Sequence, residues 1–308
     1  MGVARKALLW ISENRKLRQS LPKYRFIQRA VKRFMPGERL EDAIAAAQQL
    51  KANSLNTIFT LLGENVADKQ EAKQIVAQYL MVLDEVHKHG LDTYISVKPT
   101  QLGLDFDMEL CYQNLVTIVE RAGVLNNLVW LDMEQSQYVD RTLELYKRVK
   151  TRYPNVGICL QAYLYRTKRD LESLFTMQPL VRLVKGAYLE PANIAYPMKK
   201  DVDENYFQLV KMMLEKVKSH NVTIGVGTHD TLLARCIQQT AKSLDLSKTD
   251  YEFQMLYGIK SDEQLRLTGL GYKVRLLISY GTFWFPWYIR RLAERPANVW
   301  FVVKNIFP

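Results

Sequence analysis

The run Leu180-Val181-Arg182-Leu183-Val184-Lys185-Gly186-Ala187-Tyr188 sets a guanidinium inside a strand-like apolar stretch. Alternation along a strand puts Arg182 and Val184 on one face and Leu183 on the other. A buried guanidinium is costly unless a carboxylate, a phosphate or a polarised ring meets it. Lys185-Gly186-Ala187 then offers a second cation and a backbone bare enough for close approach by a ligand. Taken alone, these nine residues fit an internal ion pair as well as they fit a ligand site. Further polar residues close other apolar runs: Glu64, Lys98, Asp132, Gln161, Thr228, His229, Asp230 and Gln254. Arg290-Arg291 supplies adjacent guanidinium forks, which match a small carboxylate bidentately. Their plainer reading is a solvated helix face with an Arg290–Glu294 i,i+4 pair, and that of His229 is a strand-end core histidine.

The elements that must position these groups alternate along the chain. Strands are predicted over Asn56–Leu62, Thr93–Val97, Leu128–Asp132, Val156–Gln161, Val181–Val184, Val222–Val226, Phe253–Leu256 and Val274–Ile278. Each is a short run of Val, Ile, Leu or Tyr, as in parallel strands covered on both faces. Amphipathic helices are predicted over Lys69–His89, Leu110–Ala122, Gln135–Lys150, Glu204–His220 and Thr231–Ser243, and a strong helix former spans Glu41–Lys51. Eight strands followed by helices predict a (β/α)8 TIM-type barrel, whose site lies at the C-terminal strand ends. The polar residues named above fall there. The expected organisation is an N-terminal basic helical arm over residues 1–50 and the barrel over 51–308.

A chain of 308 residues, 48% hydrophobic and 24% charged, has the composition of an ordinary globular protein. No apolar run approaches the ~18–20 residues of a spanning helix. Cys111, Cys159 and Cys236 form no CxxC pair, which points to reduced thiols in a cytoplasmic setting. The four histidines make no metal-ligating pattern, so no metal is expected. The absence of a GxGxxG loop disfavours a Rossmann-type nicotinamide site, and no P-loop is present. The net charge of +11 is concentrated: residues 1–35 hold ten cations against Glu13. Apolar residues lie between them, so the arm suits either an anionic membrane surface or a docked, solvated helix. Nucleic acid is not expected, since no binding motif accompanies the charge. Cations interrupt the first apolar stretch too early for a secretory signal, while composition leaves an organellar presequence open.

With these residues placed, the chain resembles the proline dehydrogenase family in its monofunctional bacterial form. Collinear motifs carry the resemblance: Leu62-Gly63-Glu64, Ser96-Val97-Lys98, Leu131-Asp132-Met133-Glu134, Leu160-Gln161-Ala162-Tyr163, Arg182 to Tyr188, Thr228-His229-Asp230, Glu252 to Leu256 and Arg290 to Glu294. The resemblance implies FAD in the barrel, hydride transfer from the substrate ring to flavin N5, pyrroline-5-carboxylate as product, and a membrane quinone as electron acceptor. It implies that Arg182 contacts flavin N5 and stabilises the charge on the reduced ring, an effect strongest in a dry site. Met133 and Gln161 would border the isoalloxazine. Lys185, Gly186 and Ala187 would approach the ribityl and phosphate region, Thr228 and His229 the nucleotide half, and Gln254 completes the cofactor set. Arg290, Arg291 and Lys98 would clamp the substrate carboxylate; Tyr188, Leu256, Leu277 and Thr60 would line the substrate. Asp132 would be the site's acid, orienting Lys98 or Arg291, and Glu64 would pair with Arg290 as a gate. A dehydrogenase of the product semialdehyde is an expected partner, and the inner membrane face an alternative location through residues 1–35.

Two positions depart from the family pattern. Leu277 stands where a substrate-packing tyrosine is usual, and Thr60 where an aspartate is usual. Both changes remove polar groups from the substrate side, which leaves open a different cyclic secondary amine (hydroxyproline or pipecolate) or lost activity. A Schiff-base lyase using Lys98 or Lys185 is a separate reading, and it leaves Gln161 and the paired arginines without a role.

Overall fold

The computed structural model describes residues 31, 33–63 and 65–293. Eight parallel strands close into one barrel: β1 (Asn56–Leu61), β2 (Thr93–Val97), β3 (Val129–Leu131), β4 (Val156–Gln161), β5 (Leu180–Val184), β6 (Thr223–Gly227), β7 (Tyr251–Leu256) and β8 (Lys273–Tyr280). Each strand pairs with the next and β8 closes on β1. The helices before, between and after them are α1 (Leu40–Lys51), α2 (Lys69–Lys88), α3 (Met108–Val124), α4 (Val139–Lys150), α5 (Thr167–Glu172), α6 (Lys199–His220), α7 (Thr231–Ser243), α8 (Ser261–Gly269) and α9 (Trp284–Ala293). The expected (β/α)8 barrel is therefore the fold. Among the described residues no helix is long and apolar enough to cross a membrane.

Local chemistry sets the boundaries. Asp68, Asp107 and Asp230 cap α2, α3 and α7, each carboxylate accepting from N–H groups of the first turn. Along α2, Ala72, Val76, Tyr79, Leu83 and Val86 form the buried stripe. The helix predicted from Gln135 begins only at Val139, after a 3-10 turn over Ser136–Tyr138. The N–H and hydroxyl of Ser136 both donate to Glu190, which holds this backbone out of helical register. Helix α6 begins at Lys199, five residues before the predicted start, because its first turn is mostly polar and Val202 is its one apolar residue. Ahead of the barrel, α1 buries Ala43, Ala46 and Ala47 in the same core as the strands.

Register fixes which side chains enter the barrel. Thr60 lies opposite Ser96 and Ser279, Ser96 opposite Trp130, and Trp130 opposite Gly157. Arg182 lies between Cys159 and Gly225, and Leu277 between Leu256 and Ile58. Directly paired residues of parallel strands share a face, so these rows line one interior. Small residues make room for large ones: a Cβ on Gly157 would fall 2.6 Å from the Trp130 ring, and one on Gly225 2.6 Å from the Gln254 amide. At the N-terminal end Arg275 closes the barrel. It donates to both oxygens of Glu252 and to Asp92, with the Tyr94 ring centroid 3.6 Å from its guanidinium.

Candidate active site at the C-terminal mouth of the barrel

Strand β5 carries Arg182 into the interior, where it is 5% exposed. Its Nη2 donates to Ser96 Oγ at 2.8 Å and to Asp132 Oδ1, and Ser96 Oγ donates to the same carboxylate oxygen at 2.9 Å. The guanidinium lies 5.2 Å from the Trp130 ring. Burial, the largest influence, would favour loss of its charge; the Asp132 carboxylate, with Cys159 and Glu252 adding to it, outweighs burial, so Arg182 stays charged. Burial also pushes the neighbouring Cys159 thiol up, which keeps it protonated. Nη1 of Arg182 is buried with no partner among the described residues. An orphan guanidinium nitrogen inside a barrel calls for a ligand acceptor.

Gln161, at the end of β4, stands beside this centre. Its amide nitrogen donates to the Met133 carbonyl at 3.2 Å, while its oxygen is buried and unpartnered. Gln254 repeats the pattern from β7, donating to Glu252 and leaving its buried oxygen unpartnered. Both amides are anchored through nitrogen with oxygen in reserve. Met133 and Thr228 are buried, and Thr228 Oγ1 accepts from the Asp230 N–H. His229 Nε2 accepts from the Leu256 N–H at 2.8 Å, so that nitrogen carries no proton and the ends of β6 and β7 are tied.

Several expectations change in detail. Asp132 was expected to orient Lys98 or Arg291; among the described residues, which leave out the Arg291 side chain, its carboxylate meets Ser96 and Arg182, because period-two alternation brings both to the level of the loop after β3. Lys98, half-buried, begins the 3-10 turn Pro99–Leu102. Lys185 lies between Asp203 of α6 and Asp230, so its ammonium is committed to two carboxylates and is a poor Schiff-base amine. Gly186 has φ +114° and a Cβ there would meet the Tyr163 ring at 2.1 Å, so only glycine fits beside that ring at the end of β5. Ala187 and Tyr188 follow, half-buried, in the loop after β5.

On the opposite wall Leu256, Leu277 and Ile58 form an apolar row across β7, β8 and β1, with Leu256 and Leu277 half-buried. Thr60 lies one step nearer the opening, buried, with its hydroxyl unpartnered. Arg290 and Arg291 belong to α9, which follows β8; their side chains and Glu64 lie outside the described residues. Sequence reasoning passed over Ser96 and Trp130 as site residues. Counting back by two from Lys98 and from Asp132 would have put both on the interior face.

The sequence model described as proline dehydrogenase matches residues 43–304. Proline dehydrogenase 2 of Bacillus subtilis (strain 168) is 36% identical over 277 residues, which cover 90% of each chain. Proline dehydrogenase of Deinococcus radiodurans is 36% identical over 307 residues, 98% of this chain and 97% of that one. Among solved structures, proline utilization A from Bdellovibrio bacteriovorus, inactivated by N-propargylglycine, superposes with a TM-score of 0.80 at 22% identity and so shares the fold. That match covers 94% of this chain, which spans 38% of the longer protein. A closed barrel with Arg182, Asp132 and Gln161 gathered at its mouth, matched over nearly the whole length by such relatives, belongs to the proline dehydrogenase family.

Proposed function

We propose that the protein oxidises L-proline to the cyclic imine pyrroline-5-carboxylate, with FAD held at the barrel mouth. The orphan Arg182 Nη1 carries the reading. With the reserve oxygens of Gln161 and Gln254, it supplies one donor and two acceptors buried in the interior. A planar ring with both acceptors and an N–H along its edges fits that set. FAD, when bound, supplies the acceptor for the hydride that leaves the ring carbon beside the substrate nitrogen. Arg182 holds positive charge where negative charge collects, and Met133 borders the ring. Lys185, Gly186, Ala187, Thr228 and His229 serve the rest of the cofactor.

The substrate carboxylate is clamped by Arg290, Arg291 and Lys98, which fixes the reacting carbon in place. Tyr188, Leu256, Leu277 and Thr60 wall the substrate ring, and Glu64 gates it. Oxidation to the imine also releases the amine proton. Asp132 keeps Oδ2 outside its contacts with Arg182 and Ser96, and that oxygen takes the proton. Electrons leave to a membrane quinone, with residues 1–35 holding the protein to an anionic membrane from the cytoplasmic side. A dehydrogenase of the product semialdehyde is the partner that would consume the product.

The test is anaerobic titration of the purified protein with L-proline. Flavin absorbance that bleaches, together with formation of the imine, is the expected result. A protein that binds no flavin, or whose flavin stays oxidised with proline in excess, overturns the reading.

A further inference from the structure

Four parts of the barrel mouth converge on the short segment 33–38. The Trp284 Nε1–H, in the first turn of α9, donates to Glu38 Oε1 at 2.6 Å. The Gly281 N–H, in the turn between β8 and α9, donates to the Glu38 carbonyl at 2.9 Å. Val31, Met35 and Phe34 pack against Leu62, Trp284, Phe285, Tyr288 and Ile289 in a cluster separate from the main core. In the loop after β7, Gly258 (φ +72°) has no Cβ, and one there would fall 1.6 Å from the Arg33 carbonyl oxygen. Helix α9 therefore rests on this segment along one face; one hydrogen bond pins its first turn there, and a second pins the turn that leads into it.

Arg290 and Arg291 lie six and seven residues beyond Trp284 on the same helix. At 1.5 Å per residue that is roughly 9–10 Å of rigid lever. A small tilt at the first turn is therefore delivered whole to the arginines, and misplacement of a binding group by ~1 Å can cost orders of magnitude in rate. We propose that Glu38 is a positioning residue, and that segment 33–38 is the seat which sets where α9 holds the substrate carboxylate. The inference rests on the proposed carboxylate clamp. It assigns a role to residues that lie before the family-matched span of 43–304.

The experiment is a double-mutant cycle on the holoenzyme with Glu38→Ala and Trp284→Phe. It measures kcat and KM for proline and the inhibition constant of cyclopentanecarboxylate, which offers the carboxylate but no oxidisable nitrogen. Each single variant should raise KM and the inhibition constant together by about five- to tenfold, with kcat changed less than twofold. The double variant should be no worse than either single one, because both remove the same contact. Glu38→Gln, which keeps an acceptor oxygen, should restore most of the loss. Gly258→Ala, which drives a methyl into the Arg33 carbonyl, should show the same KM pattern. Gly271→Ala has a comparable φ of +85° but only Lys248 near, at 3.9 Å, and should not. Arg291→Lys separates the two claims. If it raises both constants while the Glu38 and Trp284 variants leave them unchanged, the seat is refuted and the clamp stands. If Arg291→Lys also leaves them unchanged, the clamp fails and the seat with it. Independent, additive effects of Glu38→Ala and Trp284→Phe would likewise overturn the pairing.

Discussion

At the scale of single residues, the site is a set of groups made to share partners. Arg182 is held by Ser96, Asp132 and Trp130 and still keeps one nitrogen in reserve. The motif residues were legible in the sequence because they close apolar runs where polar groups are otherwise unexplained. Their partners were not legible: Asp132 pairs with Arg182 across the barrel, fifty residues away, and only strand register reveals it. Leu277 is a case where register settles orientation, since it shares a row with Leu256 and Ile58 on the interior wall. Leu277→Tyr should fill space at the mouth and place a hydroxyl there. We expect the kcat/KM ratio of proline to pipecolate to rise about tenfold, the scale on which a pocket discriminates one methylene. An unchanged ratio would show that position 277 does not touch the substrate ring.

At the scale of elements, boundaries followed capping more than apolar pattern. Strands β2 and β4 and helix α7 have the predicted bounds, because short apolar runs mark the strands and an aspartate cap marks the helix. The 3-10 turn at Ser136 and the early start of α6 were hidden, the first by a tertiary bond to Glu190 and the second by a polar first turn. Asp230 joins both levels, capping α7 through Leu232 and Leu233 while it meets Lys185. Burial pushes its carboxyl up, but the Leu233 N–H and the Lys185 charge more than offset this, so it lies below the usual range. A carboxyl lowered in the folded state stabilises above its unfolded value, and that help fades as pH falls through the folded one. Asp230→Ala should therefore cost about 1 kcal/mol near pH 7, measured by urea unfolding, with the difference from the parent shrinking towards about pH 3. Asp230→Asn should keep most of the cap while losing the charge at Lys185. A cost for Asp230→Ala that does not vary with pH would show that the carboxylate charge contributes nothing.

At the scale of the whole molecule, charge and fold are separable. Residues 1–30 hold eight cations and Glu13, a net of +7 out of +11 for the chain. Val31 and Met35 are buried against α9, so a deletion that tests the arm must stop at residue 30. The 1–30 deletion should keep proline oxidation with a soluble dye, while co-sedimentation with anionic vesicles falls and loses its salt dependence. Equal sedimentation of both chains would remove the arm from membrane contact. The barrel itself was legible from eight apolar runs separated by helical stretches, since parallel strands buried on both faces leave that signature. Its closure at the N-terminal end by Arg275, Glu252 and Asp92 was not, because each of these reads singly as surface charge.

Arg182, the buried cation with a nitrogen in reserve, is central to the chemistry proposed at the mouth. The decisive measurement is the anaerobic rate of flavin reduction by proline in Arg182→Met, taken with the flavin content of the same preparation. Loss of a buried charged donor from the place where charge develops predicts a rate lower by about 10²–10³-fold and weaker flavin retention, in a chain that still folds. An Arg182→Met protein that retains its flavin and reduces it at the parent rate would contradict the account.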